Sequence, residues 1–212
     1  MKNNRKKHYL SIMGTMGSGK TTAVKLLANH LKFHLLEENF GTNAFLPKFY
    51  QDMERWAFHS QAFFLLEKVS QILGIPKLLS SRSVVQDTLL QQDVFSYAKA
   101  QHVLGHMDDD EWRLYQKIYR SFEPYFPRPD LLIYLETSLT VLRDRIKSRA
   151  RTYEQSIPNK YLELLDDLNH KWLSENKTIP VIIVKTDGIN IVRNKKAQTE
   201  FVVLIKKRLK YG

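Results

Sequence analysis

Three groups of residues in this chain have the types and spacing that phosphate chemistry needs. The first is the run GTMGSGKTT, Gly14, Thr15, Met16, Gly17, Ser18, Gly19, Lys20, Thr21 and Thr22. Glycine, four residues, then Gly-Lys-Thr is P-loop spacing. Its glycines permit backbone conformations that a Cβ forbids, so successive N–H groups can converge on an anion. Lys20 can reach the outer phosphates of a nucleoside triphosphate, and the Thr21 hydroxyl can ligate Mg²⁺. The second group is acidic: Glu37 and Glu38 follow one apolar run, and Asp87 and Asp93 follow another. Carboxylates there suit a general base and a metal-side ligand. The third is the basic run RDRIKSRAR, 143–151, where Arg145 and Arg149 are four apart and share one helix face.

The elements that must position these groups are legible in outline. Five apolar runs, 9–13, 33–37, 83–87, 131–135 and 181–184, read as core strands, with helical patterns between them. Alternation of this kind predicts an α/β fold: a five-stranded parallel sheet with helices on both faces, a P-loop NTPase-like three-layer sandwich. A helix is expected from Thr21 to about Leu31, its N-terminal partial charge adding to the phosphate attraction. Further helices are expected over 55–73, apolar on most of its circumference and so largely buried, with Pro76 ending it, and over 108–122, with acids in its first turn. In such sheets ligands collect beyond the carboxyl ends of the strands, where the P-loop, Glu38 and Asp87 all fall. Strand alternation sends Glu37 and Glu38 opposite ways, so Glu37 is expected in solvent. Helix capping is the other reading of Asp87.

Composition narrows the class. The 212 residues predict one domain, 1–212, and a hydrophobic content of 43% supports a sizeable core. There is no cysteine, so disulfide and thiolate chemistry are excluded. The apolar runs are too short to span a bilayer, and the basic stretch MKNNRKKHYL lacks the apolar segment of a signal peptide. A cytoplasmic protein is expected. The net charge of +11 suits polyanions, but much of it lies at the two ends and in 143–151. The ends are expected to be solvated faces rather than a nucleic-acid footprint.

The segments EENFGTNAFLPKFYQD and RWAFHSQAFFL, together with RIKSRARTYEQSIPNKYLELL at 145–165, resemble the deoxynucleoside kinases over nearly the whole chain. The resemblance implies transfer of the ATP γ-phosphate, with Mg²⁺, to the 5′-hydroxyl of a deoxynucleoside. It places the catalytic carboxylate at Glu38, a sugar-contacting tyrosine at Tyr50, a base-reading glutamine at Gln61 and an aromatic wall including Tyr97. It implies an arginine-rich lid at about 145–156 with Arg145, Arg149 and Arg151, and Glu154 as the acid that holds the sugar 3′-hydroxyl. It also implies a homodimer through 55–73 and 108–122.

Two departures stand out. The family's Asp/Glu-Arg-Ser after strand three is Asp87-Thr88-Leu89 here, so the arginine beside the catalytic acid is missing. SRS at 81–83 lies at the wrong end of the strand, and Arg151 is a candidate replacement. The base-edge arginine seven residues after the glutamine is Lys68, whose aspartate partner falls on Asp93; keeping such a pair points away from thymidine. Gln61 matches the donor–acceptor edge of adenine, so a purine deoxynucleoside, deoxyadenosine first, is expected. Two other readings stay open: a nucleoside monophosphate kinase, which would need cations such as Lys48 and Arg55 for an acceptor phosphate, and a catalytically weak nucleotide-binding protein, favoured by Thr88.

Overall fold

The computed structural model describes residues 6–38, 40–149, 157–189, 191–192 and 194–210. Its centre is a parallel sheet of β1 (Tyr9–Met13), β2 (His34–Leu36), β3 (Val84–Gln86), β4 (Leu131–Glu136) and β5 (Val181–Lys185), in the order β2-β3-β1-β4-β5. All four pairings are parallel, with Leu10 facing Val85 on one side and Leu131 on the other. The five expected strands are present, trimmed or extended by a residue.

The helices follow in chain order: α1 (Lys20–Leu31), α2 (Leu46–Gln51), α3 (Met53–Leu73) and α4 (Ile75–Leu79), then α5 over 90–103. α5 has α-helical ends, Leu90–Gln92 and Lys99–Val103, around a π-helical middle, Asp93–Ala98. α6 (Asp109–Phe122), α7 (Leu139–Ser148), α8 (Asn159–Glu175) and α9 (Lys195–Lys210) complete the set among the described residues.

Strand alternation splits the core into two layers. Leu10, Ile12, Val85, Ile133 and Leu135 pack on Val24 and Leu27 of α1 and on Phe201 and Ile205 of α9. On the other face, Tyr9 and Val84 pack on α3, α5 and α6, while Met13, Leu132 and Tyr134 meet α8. This is the expected three-layer arrangement.

Helix ends follow local chemistry. Asp108 caps α6, accepting from the Glu111 N–H at 2.8 Å while Glu111 reciprocates, so the acid run marks the start of the helix. Asp52 caps α3 through the Arg55 N–H at 3.1 Å. Two expectations need correction. Pro76 does not end α3: the chain turns at Gly74, and Pro76 sits in the first turn of α4, where its missing N–H costs nothing. Nor is α3 largely buried: among the described residues nothing covers its outer face, where Leu66 is 51% and Leu73 43% exposed. Among the described residues no helix is long and apolar enough to cross a membrane.

Candidate active site

The phosphate loop lies between β1 and α1, at the carboxyl edge of the sheet. A Cβ on Gly14 would lie 2.6 Å from Ser18 Oγ and 2.9 Å from the Leu135 carbonyl, so no larger residue fits. Gly19, with φ +100°, takes the left-handed conformation that starts α1. The Gln92 amide clamps the loop from α5: its Oε1 accepts from the Gly14 N–H at 3.2 Å and its Nε2 donates to the Gly14 carbonyl at 2.7 Å. Lys20 Nζ donates to the same carbonyl at 2.7 Å and lies 3.4 Å from the Tyr97 hydroxyl. Burial holds its pKa below the ordinary lysine value, against the pull of Asp87 and Glu38.

Asp87 ends β3 beside the loop and is 2% exposed. The Thr21 hydroxyl donates to its Oδ2 at 2.7 Å, while Oδ1 is buried with no hydrogen-bond partner among the described residues. Among the described residues Asp87 caps no helix, and α5, which follows it, has Leu89 at its N-cap. Burial raises its pKa, and the Thr21 bond opposes this. A threonine hydroxyl beside a carboxylate with a spare buried oxygen fits Mg²⁺, which uses one or two protein oxygens and completes its shell with water and phosphate.

One cavity joins these groups to the rest. Its walls include Met16, Gly17, Gly19, Lys20, Thr21, Glu38, Tyr50, Gln61, Asp87, Thr88, Asp93, Tyr97, Arg149 and Tyr161. Glu38 comes from the loop after β2, Gln61 from α3, and Asp93 and Tyr97 from the π-helical turn. Burial pushes Asp93 up to about 7, against the Lys68 charge, and raises Tyr97 well above an ordinary tyrosine. Glu37 points away as expected and pairs with Lys25 at 3.0 Å. Lys48 and Arg55 lie over the Trp56 ring, 4.7 and 5.4 Å from its centroid, and neither lines the cavity. An acceptor phosphate would find no cation from either.

Several sequence expectations are redirected. Thr15 is buried, its hydroxyl donating to Asp166 Oδ1 at 2.7 Å and accepting from Asn169 at 3.1 Å; its side chain ties the loop to α8. Arg145 does not reach over the phosphate loop as a free lid cation. Its guanidinium donates to the Ser18 carbonyl at 3.0 Å and to the Thr186 carbonyl at 2.7 Å. With Ser18, Thr22 and Arg149 it borders a second cavity walled by 186–189, a segment the sequence reading missed. Arg149, at the end of α7, borders both cavities. Lys68 does not line the cavity; it pairs with Asp93 as expected, but Glu38 lies closer. Its Nζ is 3.1 Å from Glu38 Oε1 and 3.6 Å from Asp93 Oδ2, because α3 turns it toward the β2 and β3 ends. Arg82, of the SRS look-alike, is exposed and lies ahead of β3. Arg151 and Glu154 lie outside the described residues. Gln92, Tyr161 and Asp166 are site neighbours that sequence reasoning passed over; only Gln92, in the polar run between Leu90 and Val94, offered a signal.

The sheet order, the phosphate loop and the acids at neighbouring strand ends define a P-loop phosphotransferase. The chain belongs to the deoxynucleoside kinase family, whose model matches residues 10–210. It is 31% identical over 194 residues to a deoxyadenosine/deoxycytidine kinase of Bacillus subtilis, covering 91% of this chain and 88% of that one. It is 28% identical to a deoxyadenosine kinase of Lactobacillus acidophilus, covering 94% and 95%. In fold it matches a deoxyadenosine kinase from M. mycoides solved with bound dCTP, at a TM-score of 0.80 and 23% identity over 96% of this chain and all of that one.

Proposed function

We propose that this enzyme moves the γ-phosphate of ATP to the 5′-hydroxyl of a deoxynucleoside, with deoxyadenosine the first acceptor and deoxycytidine the second. One observation carries the reading: a single cavity runs from Lys20, Thr21 and Asp87 past Glu38 to Gln61, Asp93 and Tyr97. Glu38 takes the hydroxyl proton. Lys20 and Arg149 face the charge that builds on the transferring phosphoryl group. Thr21 and Asp87 would hold Mg²⁺, which neutralises phosphate charge when bound. Gln61, 7% exposed, offers a donor and an acceptor to the adenine edge, and Tyr50 faces the sugar. The names of the relatives, deoxyadenosine, deoxycytidine and deoxyguanosine kinases, support an acceptor from this group.

The proposal includes Arg151 as an added lid charge, Glu154 on the sugar 3′-hydroxyl and one domain over 1–212 with a lid at about 145–156. It also includes a cytoplasmic setting, checked by cell fractionation. A homodimer through α3 and α6 would cover the exposed Leu66, Leu73 and Leu114, and sedimentation equilibrium reads it directly. The deciding experiment is kcat/KM with ATP and Mg²⁺ for deoxyadenosine, deoxyguanosine, deoxycytidine and thymidine. Thymidine as the best acceptor would overturn the pocket assignment, and turnover of none would overturn the kinase reading.

A further inference from the structure

Lys68 is 3% exposed, in the middle of α3, and its ammonium is surrounded by oxygen from three directions. Nζ donates to Glu38 Oε1 at 3.1 Å, to the Asp87 carbonyl at 3.0 Å and to the Thr88 carbonyl at 3.2 Å. An ammonium has three N–H bonds, so these partners use them all and none remains for a nucleobase. Asp93, at 3.6 Å, adds charge attraction only. The two carbonyls belong to a turn under strain: Thr88 has φ +61°, a left-handed conformation that a β-branched residue rarely adopts. That turn brings the Thr88 hydroxyl to 3.4 Å from Glu38 Oε2. Both oxygens of Glu38 are thus held, one by Lys68 directly and one by a turn that Lys68 clamps.

We propose that Lys68 is a positioning residue for the proton acceptor: it fixes the Glu38 carboxylate against the β3 turn and supplies the cation beside it, rather than reading the base. This rests on the kinase reading above. Among the described residues the charged and titratable groups sharing a cavity wall or a charge interaction with Glu38 are Lys68 and Glu67 from α3, Lys20 from α1, Tyr50 from α2, Asp87 after β3, Asp93 and Tyr97 from α5, Arg149 after α7 and Tyr161 from α8. Three of these are carboxylic acids, so removing the Lys68 charge leaves Glu38 among its own kind, with Lys20 and Arg149 the cations left on the cavity wall. Burial works against the Lys68 charge, but Asp93, Glu38 and Asp87 outweigh it and hold its pKa above the ordinary value.

The test measures kcat and KM of Lys68→Met and Lys68→Arg with all four deoxynucleosides, alongside melting temperature and ADP binding. Lys68→Met should lose about 10²-fold in kcat, the scale of a misplaced catalytic group, by the same factor for every acceptor and with KM little changed. Lys68→Arg, which keeps a cation beside Glu38, should recover most of the lost kcat with every acceptor. If Lys68→Met does not fold, Lys68→Gln, which keeps a donor at that place without the charge, carries the same readouts. Altered acceptor preference with kcat intact, or no recovery of kcat in Lys68→Arg, would overturn the positioning role alone. A wild-type chain that turns over none of the four would overturn it together with the proposed function.

Discussion

Glu38→Gln keeps the shape of the proton acceptor and removes its basicity. It should bind nucleoside nearly as the wild type does and lose about 10²–10⁴-fold in kcat; retention of a tenth of wild-type kcat in steady-state assays would take Glu38 out of the mechanism. Lys20→Ala strips the fixed cation from the β/γ-phosphates and should end turnover with every acceptor, read by ADP release. Gln61→Leu should cost deoxyadenosine about 1–3 kcal/mol of discrimination against the other acceptors, the worth of one bidentate contact, measured as kcat/KM ratios. These residues could be found in the sequence because their types carry the chemistry and their neighbours carry the motif. Asp166 and Asn169 could not, and Gln92 offered only its place in a polar run. Amides and a lone acid on helices have no local signature, and their partners in the phosphate loop lie 78, 151 and 154 positions away. Lys68 was noticed, but its closest carboxylate lies thirty positions upstream, across a fold that spacing alone does not give.

At the level of elements, the loop joining β1 to α1 is the least tolerant. Gly14→Ala places a methyl against Ser18 and the Leu135 carbonyl, and backbone cannot yield as a side chain can. Overpacking of this kind costs about 1–3 kcal/mol, a fall of roughly 2–12 °C in Tm for a chain of this size, checked by calorimetry. The strands and long helices were legible since periodicity and capping residues are local: Tyr9–Met13 is five apolar or small residues in a row, and Asp108 announces α6. The π-helical turn at Asp93–Ala98 was not, because a widened turn leaves no pattern of its own. The exposed side of α3 was misread for a related reason: apolarity around a helix says that something covers it, not that this chain does.

For the molecule as a whole, a ligand that binds only the folded state stabilises it in proportion to its own occupancy. ATP with Mg²⁺ at about 100 times its Kd should add about 2.7 kcal/mol, raising Tm by roughly 5–10 °C; a thermal shift titration checks this, and Lys20→Ala should lose most of it. The strand order has a further consequence in time. β1 precedes the other strands in the chain yet lies between β3 and β4, and its edges are tied by His8 to Ser83 and by Tyr9 to Asp130, across 75 and 121 residues. At roughly 5–20 residues per second, a ribosome needs several seconds to make the strand that completes this pairing. Throughout that interval a strand that ends up buried along its whole length lacks one or both of its partner strands. A half-made chain therefore has a strand to shield from its own kind and no nucleotide to steady it.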